Sequence, residues 1–181
     1  MGSPRHLGDT TPHPANRPDD EADIEQVDGM GRIHVPVLFQ EILHHLQVKP
    51  GGRYIDATVG AGGHALGILQ ASSPHGRLLG LDRDPAAIAM ARQRLDDFAD
   101  RVDLVCRSYV HLAEVAQARG FVSVDGILFD LGLSSLQLDD AHRGFSFMRE
   151  GPLDMRFNPQ ARDSTAADIV NTLPADELAS L

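Results

Sequence analysis

"YIDATVGAGGHALG", residues 54–67, is the stretch on which the fold of this chain turns. A short apolar run leads into Gly60, Gly62 and Gly63, and His64 stands where a helix should begin. Glycine permits a sharp turn there, and its missing side chain lets a ligand approach the backbone. The first amides of a helix offer N–H groups to a polar or anionic ligand. Strand, glycine loop and helix in this order make the opening crossover of a nucleotide-binding sheet, which binds its ligand beyond the carboxyl ends of the strands.

Outward from that loop the chain alternates. Apolar runs at residues 54–57, 77–81, 102–106 and 124–129 read as strands, with helical patterns at 63–70, 85–97 and 112–119 between them. Such alternation implies right-handed crossovers and a parallel sheet with helices on both faces. The expected strand order is 3-2-1-4. Upstream, Val37, Leu38, Ile42, Leu43 and Leu46 recur at helical spacing, with Pro36 in a first turn and "KPGG" as the stop. Beyond Ser134 the pattern weakens. Residues 143–163 are too irregular for a core element, while "DSTAADIVNTLPADELASL" offers two short helices. Asp163 or Ser164 is the expected N-cap of the first, and Pro174 opens the second.

The 181 residues, 42% of them hydrophobic, suit one domain with a real core. Residues 1–31 are rich in Pro, Gly and Asp and poor in large apolar side chains, so a disordered tail is expected, with Met30 a second possible start. Residues 32–142 then form the cofactor-binding domain, and residues 143–181 begin a helical insertion. There is no apolar run of membrane-spanning length, no signal-peptide pattern and one cysteine, so the expected compartment is the cytoplasm. The formal charge of −10 argues against a broadly basic nucleic-acid surface but leaves room for a local basic patch.

Several residues frame a site. Asp82 closes the second strand, 82 − 60 = 22 residues after Gly60, where a carboxylate accepts hydrogen bonds from ribose hydroxyls. Gly60, Gly62 and Ala65 also satisfy the spacing G-x-G-x-x-A, so NAD fits this part of the pattern. Two features favour S-adenosylmethionine instead. Asp56, inside the first strand, is awkward beside a pyrophosphate but suits a cationic amino-acid end; it can equally cap loop amides. Asp130 ends the fourth strand, across the same crevice. His64 reads as a cap or packing residue whose backbone N–H meets the ligand. Tyr109 can stack on an adenine or pack under the next helix. Cys106 reads as a small core residue. His34, His44 and His45 lie near one helix without further ligands at metal spacing.

Together "HVPVLFQEIL", "YIDATVGAGGH", "LGLDRDPAAIAMA", "VDGILFDLGLSSLQLDDAHRGFSF" and "GPLDMRF" resemble the bacterial RsmH (MraW) methyltransferases, from about His34 to Leu181. The resemblance implies a Rossmann-like class I methyltransferase fold that uses S-adenosylmethionine to methylate the exocyclic N4 of a cytosine in the decoding region of 16S ribosomal RNA, on the small ribosomal subunit. It implies cofactor contacts at Gly62, Gly63 and His64, at Asp82 and Tyr109, and at Asp130 and Gln137. The Asp/Asn-Pro-Pro-aromatic signature of other amino-methyltransferases is absent; Asp130-Leu131-Gly132-Leu133 stands in its place, as in the family resembled. That family is longer, so this chain is expected to stop inside the helical insertion, with an incomplete sheet and little activity alone.

The implied reaction is in-line displacement: the amine nitrogen attacks the sulfonium methyl, the S–CH3 bond breaks and S-adenosylhomocysteine leaves. Asp130 is the candidate to accept a hydrogen bond from the amine, and alignment of the reactants alone is worth roughly 7–11 kcal/mol. Phe145 and Phe147 can stack on a flipped base or form a small satellite core. Arg143, Arg149 and Arg156 can meet phosphates or pair with Asp139, Asp140, Glu150 and Asp154. The competing readings are an NAD-dependent oxidoreductase and a non-catalytic cofactor-binding fragment.

Overall fold

The computed structural model describes residues 36–181. The expected tail, Met30 and His34 lie outside the described residues.

Four parallel strands form one sheet: β1 (Arg53–Asp56), β2 (Arg77–Asp82), β3 (Val102–Cys106) and β4 (Gly126–Leu128), in the order β3-β2-β1-β4. This is the order read from the sequence. In register, Ile55 of β1 lies between Leu79 of β2 and Ile127 of β4. The crossovers are α2 (Gly63–Ala71), α3 (Pro85–Arg94) and α4 (Leu112–Ala118), with α1 (Phe39–His45) packed against α2.

The alternation of side chains along each strand builds two cores. Tyr54, Leu78 and Leu128 face Ile68 and Leu69 of α2 and Ile88 and Ala91 of α3. On the opposite face Ile55, Leu79 and Leu81 pack on Val115 and Ala116 of α4 and on Phe121. Fully burying a side chain such as Ile68 or Leu78 contributes about 1.5–3 kcal/mol. Tyr54 is buried without a lost hydrogen bond: its hydroxyl accepts from the Lys49 amide at 2.9 Å and donates to the Gln47 carbonyl at 3.4 Å.

Some expectations are corrected. The first helix starts at Phe39, not Pro36, because Leu38 takes a left-handed turn (φ 55°) that interrupts the spacing. Phe39 is therefore the buried residue, while Val37 and Leu38 are exposed. Cys106 is exposed rather than in the core, since it ends the edge strand β3. A short helix the periodicity did not show, α5 (Ser135–Asp139), follows β4. Its sign was the S-x-x-Q pair Ser134 and Gln137, which form a capping box.

The chain then runs irregularly, as expected, to α6 (Ala166–Thr172) and α7 (Ala175–Leu178). Thr165, not Ser164 or Asp163, caps α6: its hydroxyl accepts from the Asp168 amide at 3.1 Å while the Asp168 carboxylate accepts the Thr165 amide at 2.9 Å. Asp168 supplies the returning arm of the box, which neither neighbour of Thr165 could use in that register. The expected boundary at residue 143 falls at the end of a 3-10 turn, Ala141–Arg143.

Candidate functional site

The loop after β1 is stitched to the strands on both sides. On one side the Val59 amide donates to the Leu81 carbonyl at 2.8 Å, and the Gly60 amide to Asp82 Oδ2 at 2.9 Å. On the other the Ala57 amide donates to the Leu128 carbonyl at 2.9 Å, and the Asp130 amide to Thr58 Oγ1 at 2.8 Å. The glycine loop is thus tethered at the carboxyl ends of β1, β2 and β4, the edge at which such sheets bind ligands. Thr58 was missed by sequence reasoning, although its hydroxyl joins the two halves of the crevice. The pair Asp56-x-Thr58 was the available signal, since an Asp carboxylate that accepts the amide two residues on fixes the next side chain.

Gly62 is the N-cap of α2 with φ 84°. A Cβ there would lie 3.3 Å from the Ala91 Cα of α3, so backbone geometry and helix packing both demand glycine. We predict that Gly62→Ala lowers stability by about 1–3 kcal/mol, read by urea denaturation. No loss would mean that the loop can re-form around a side chain. Gly63 opens α2, and amides at such a position are those a helix leaves for an outside acceptor.

Three carboxylates surround the loop. Asp56 is fully buried, and burial first, then the nearby Asp82 and Asp130 charges, push its pKa up to about 7. Its Oδ1 accepts the Thr58 amide at 3.1 Å, the loop-capping alternative of the two read from the sequence. Asp82 is also raised, chiefly by burial, although its oxygens accept the Gly60 and Asp84 amides. Each oxygen keeps a second lone pair for a ligand hydroxyl. Asp130 is the exposed member, and its Oδ2 stands 3.7 Å from His64 Nε2. The His64 ring is buried and stacks on Phe39 at 6.1 Å. Tyr109 begins the turn after β3, is 42% exposed, and meets Phe129 edge-on at 5.8 Å.

Gln137 is buried behind these groups. Its Oε1 accepts the Ser134 amide at 3.0 Å and its Nε2 donates to Asp84 Oδ2 at 3.3 Å. Asp84 also caps α3 and pairs with Arg143 Nη1 at 2.8 Å. Arg143 therefore pairs with none of the acids expected for it. Its partner lies far away in the sequence, brought in by the crossover between β2 and α3. Arg149 and Arg156 do take acidic neighbours, Asp139 and Asp154. Hydrogen bonds from Arg156 hold the Asp154 carboxyl down at about 2. The two phenylalanines separate: Phe145 is buried against Phe157 at 5.6 Å, and Phe147 is fully exposed beside exposed Met148. Among the described residues no group of three His, Cys, Asp or Glu side chains gathers as metal ligands. None of the described helices is long and apolar enough to cross a membrane.

Comparison with known proteins places this sequence in a lineage. The chain is 54% identical over 155 residues to the ribosomal RNA small subunit methyltransferase H of Thermomicrobium roseum, covering 85% of this chain and 47% of that protein. It is 50% identical over 148 residues to the enzyme of the same name from Dehalococcoides mccartyi, covering 82% of this chain and 42% of that one. The chain thus spans less than half the length of these relatives. A solved structure, a putative rRNA-methylase from Clostridium thermocellum, superposes with TM-score 0.45 at 25% identity, over 56% of this chain and 55% of that one. The MraW methylase family model matches residues 31–181, which takes in the glycine loop, the carboxylates around it and the irregular segment beyond α5; the chain belongs to that family.

Proposed function

We propose that this chain forms the cofactor-binding part of a methyltransferase that modifies the exocyclic N4 of a cytosine in 16S ribosomal RNA, with S-adenosylmethionine as methyl donor. The observation that carries this reading is the convergence of Asp82 and Asp130 on one glycine loop, from the strands that flank β1 on either side. The names of the relatives point to RNA of the small ribosomal subunit, and with it to the cytoplasm.

The donor set fits the proposed methyl donor. Asp82 accepts from ribose hydroxyls, the amides at the start of α2 and around residues 60–64 hold the amino-acid end, and the exposed side of Tyr109 covers the adenine. Gln137 acts one contact behind, through Asp84. When bound, S-adenosylmethionine supplies an electrophilic methyl group on a sulfonium centre. The chain's own part is alignment and electrostatics. Asp130, exposed at the mouth, accepts a hydrogen bond from the incoming amine and so localises on nitrogen a lone pair otherwise shared with the ring. A base inside a duplex cannot reach Asp130, so the substrate is single-stranded or flipped out.

Calorimetric titration with S-adenosylmethionine, and separately with NADH, tests the reading. Saturable binding of the sulfonium compound is expected, weakened roughly 10- to 100-fold by Asp82→Ala, which removes a charged hydrogen-bond acceptor. Binding of NADH alone would overturn it. Transfer of labelled methyl to isolated small ribosomal subunits, by this chain and by a longer one, then reports how much of the substrate surface this chain carries.

A further inference from the structure

Arg143 ties together three parts of the molecule that are distant in sequence. Its Nη1 pairs with Asp84 Oδ2 at 2.8 Å, and its Nη2 donates to the carbonyls of Phe157 at 2.7 Å and Arg156 at 3.3 Å. Its own carbonyl accepts the Met155 amide at 3.0 Å. Asp84 in turn donates its amide to Asp82 Oδ1 at 2.9 Å. A continuous path of hydrogen bonds therefore runs from the carboxylate beside the glycine loop to both ends of the segment at residues 143–157. That segment buries Phe145 on Phe157 and leaves Phe147 and Met148 bare.

Stability alone is a poor account of this arrangement. A buried ion pair gives little net stabilisation over apolar side chains of the same volume. The Arg143 side chain is 10% exposed, and its Nε is buried with no acceptor among the described residues. What the pair does provide is direction: a planar fork fixes the angle between the loop after β2 and the segment bearing the exposed aromatic. We propose that Arg143 is a positioning residue, which sets the segment at residues 144–157 against the cofactor site, so that occupancy of that site and order in the segment are linked. The proposal rests on the function proposed above and adds to it the element that presents Phe147 to an unstacked base.

Linkage is reciprocal, so it can be read from the cofactor side without any RNA. Hydrogen exchange of the whole chain is measured by mass spectrometry with and without saturating S-adenosylmethionine. In the parent chain the ligand is expected to slow exchange both in the glycine loop and in residues 144–157, the latter roughly fivefold or more. In the double variant Asp84→Asn/Arg143→Met, slowing of the glycine loop persists and that of residues 144–157 disappears. Arg143→Lys, which keeps the charge without the fork, restores part of it. A merely structural role would raise basal exchange in the segment but leave the ligand-dependent ratio unchanged, and that result overturns the inference. So does a parent chain whose glycine loop responds while the segment does not. If the glycine loop of the parent chain fails to respond, the proposed function falls and the inference with it.

Discussion

Asp84→Asn is expected to lower the unfolding free energy of this chain by about 3–5 kcal/mol, a large share of what a domain of this size possesses. The substitution is nearly isosteric. Asn keeps an oxygen at the Oδ1 position to cap the Ala86 amide, so the cap of α3 survives; its amide nitrogen takes the Oδ2 position, so Gln137 Nε2 and Arg143 Nη1 lose their shared acceptor. The charge and one buried acceptor are lost together. The guanidinium of Arg143 then remains buried without its counter-ion, which costs far more than the intact pair contributes. The second half of the expectation follows from the same asymmetry. Adding Arg143→Met to Asp84→Asn removes the stranded charge and fills most of its volume, so the double variant recovers to within about 1–2 kcal/mol of the parent. The residual cost comes from the carbonyls of Arg156 and Phe157, which lose their donor, and from Gln137 Nε2, which loses its acceptor. Urea denaturation followed by circular dichroism measures all three proteins. A double variant as unstable as the single one would show that the loss came from packing, from the cap or from the Gln137 contact, and not from the charge.

The Asp84–Arg143 pair also marks where sequence reading stops. The strand order, the glycine loop and Asp82 at the end of β2 were legible because each follows from local chemistry: short apolar runs alternating with helical patterns, turn-forming glycine, and a carboxylate at a strand end. Residues 102–106 emerged as a strand with unaltered bounds. Expectations failed where a distant segment decided the outcome. Arg143 has acids close by in the chain, yet the crossover after β2 delivers Asp84, one peptide link from the residue after Asp82. Cys106 has apolar sequence neighbours, but β3 lies at the sheet edge. Phe145 and Phe147 are two residues apart in an irregular segment where neither periodicity applies, so only packing on Phe157 tells the buried ring from the bare one. At the site itself the types of residue were readable, and their partners were not. Gln137, expected in the crevice, has its amide spent on Ser134 and Asp84, and this locates its influence one contact away from the loop.

The second large effect concerns pH. Asp56 has a folded-state pKa near 7 against an ordinary 3.8, principally because burial disfavours its charge. Between those two values the folded chain holds a proton that the unfolded chain has released. Stability from this group is therefore greatest below pH 3.8, falls as pH rises towards 7, and stays at its lower level above that. The fall amounts to at most about 4 kcal/mol for a shift of this size. Asp125, Asp154 and Asp168 have lowered pKa values and act in the opposite sense as pH falls, so the parent curve alone mixes both. The difference from Asp56→Asn isolates the buried carboxyl. Asn retains an acceptor for the Thr58 amide and cannot ionise, so the variant is expected to match the parent near pH 4 and exceed it at pH 8. A cationic ligand in the crevice reverses the preference of Asp56, because it favours the charged carboxylate. Binding of S-adenosylmethionine should then release close to one proton near pH 6.5, its affinity should rise between pH 6 and 8, and both effects should vanish in Asp56→Asn. Calorimetry in buffers of different ionisation enthalpy counts that proton. A pH-independent affinity in the parent chain would mean that the ligand's positive charge does not reach Asp56.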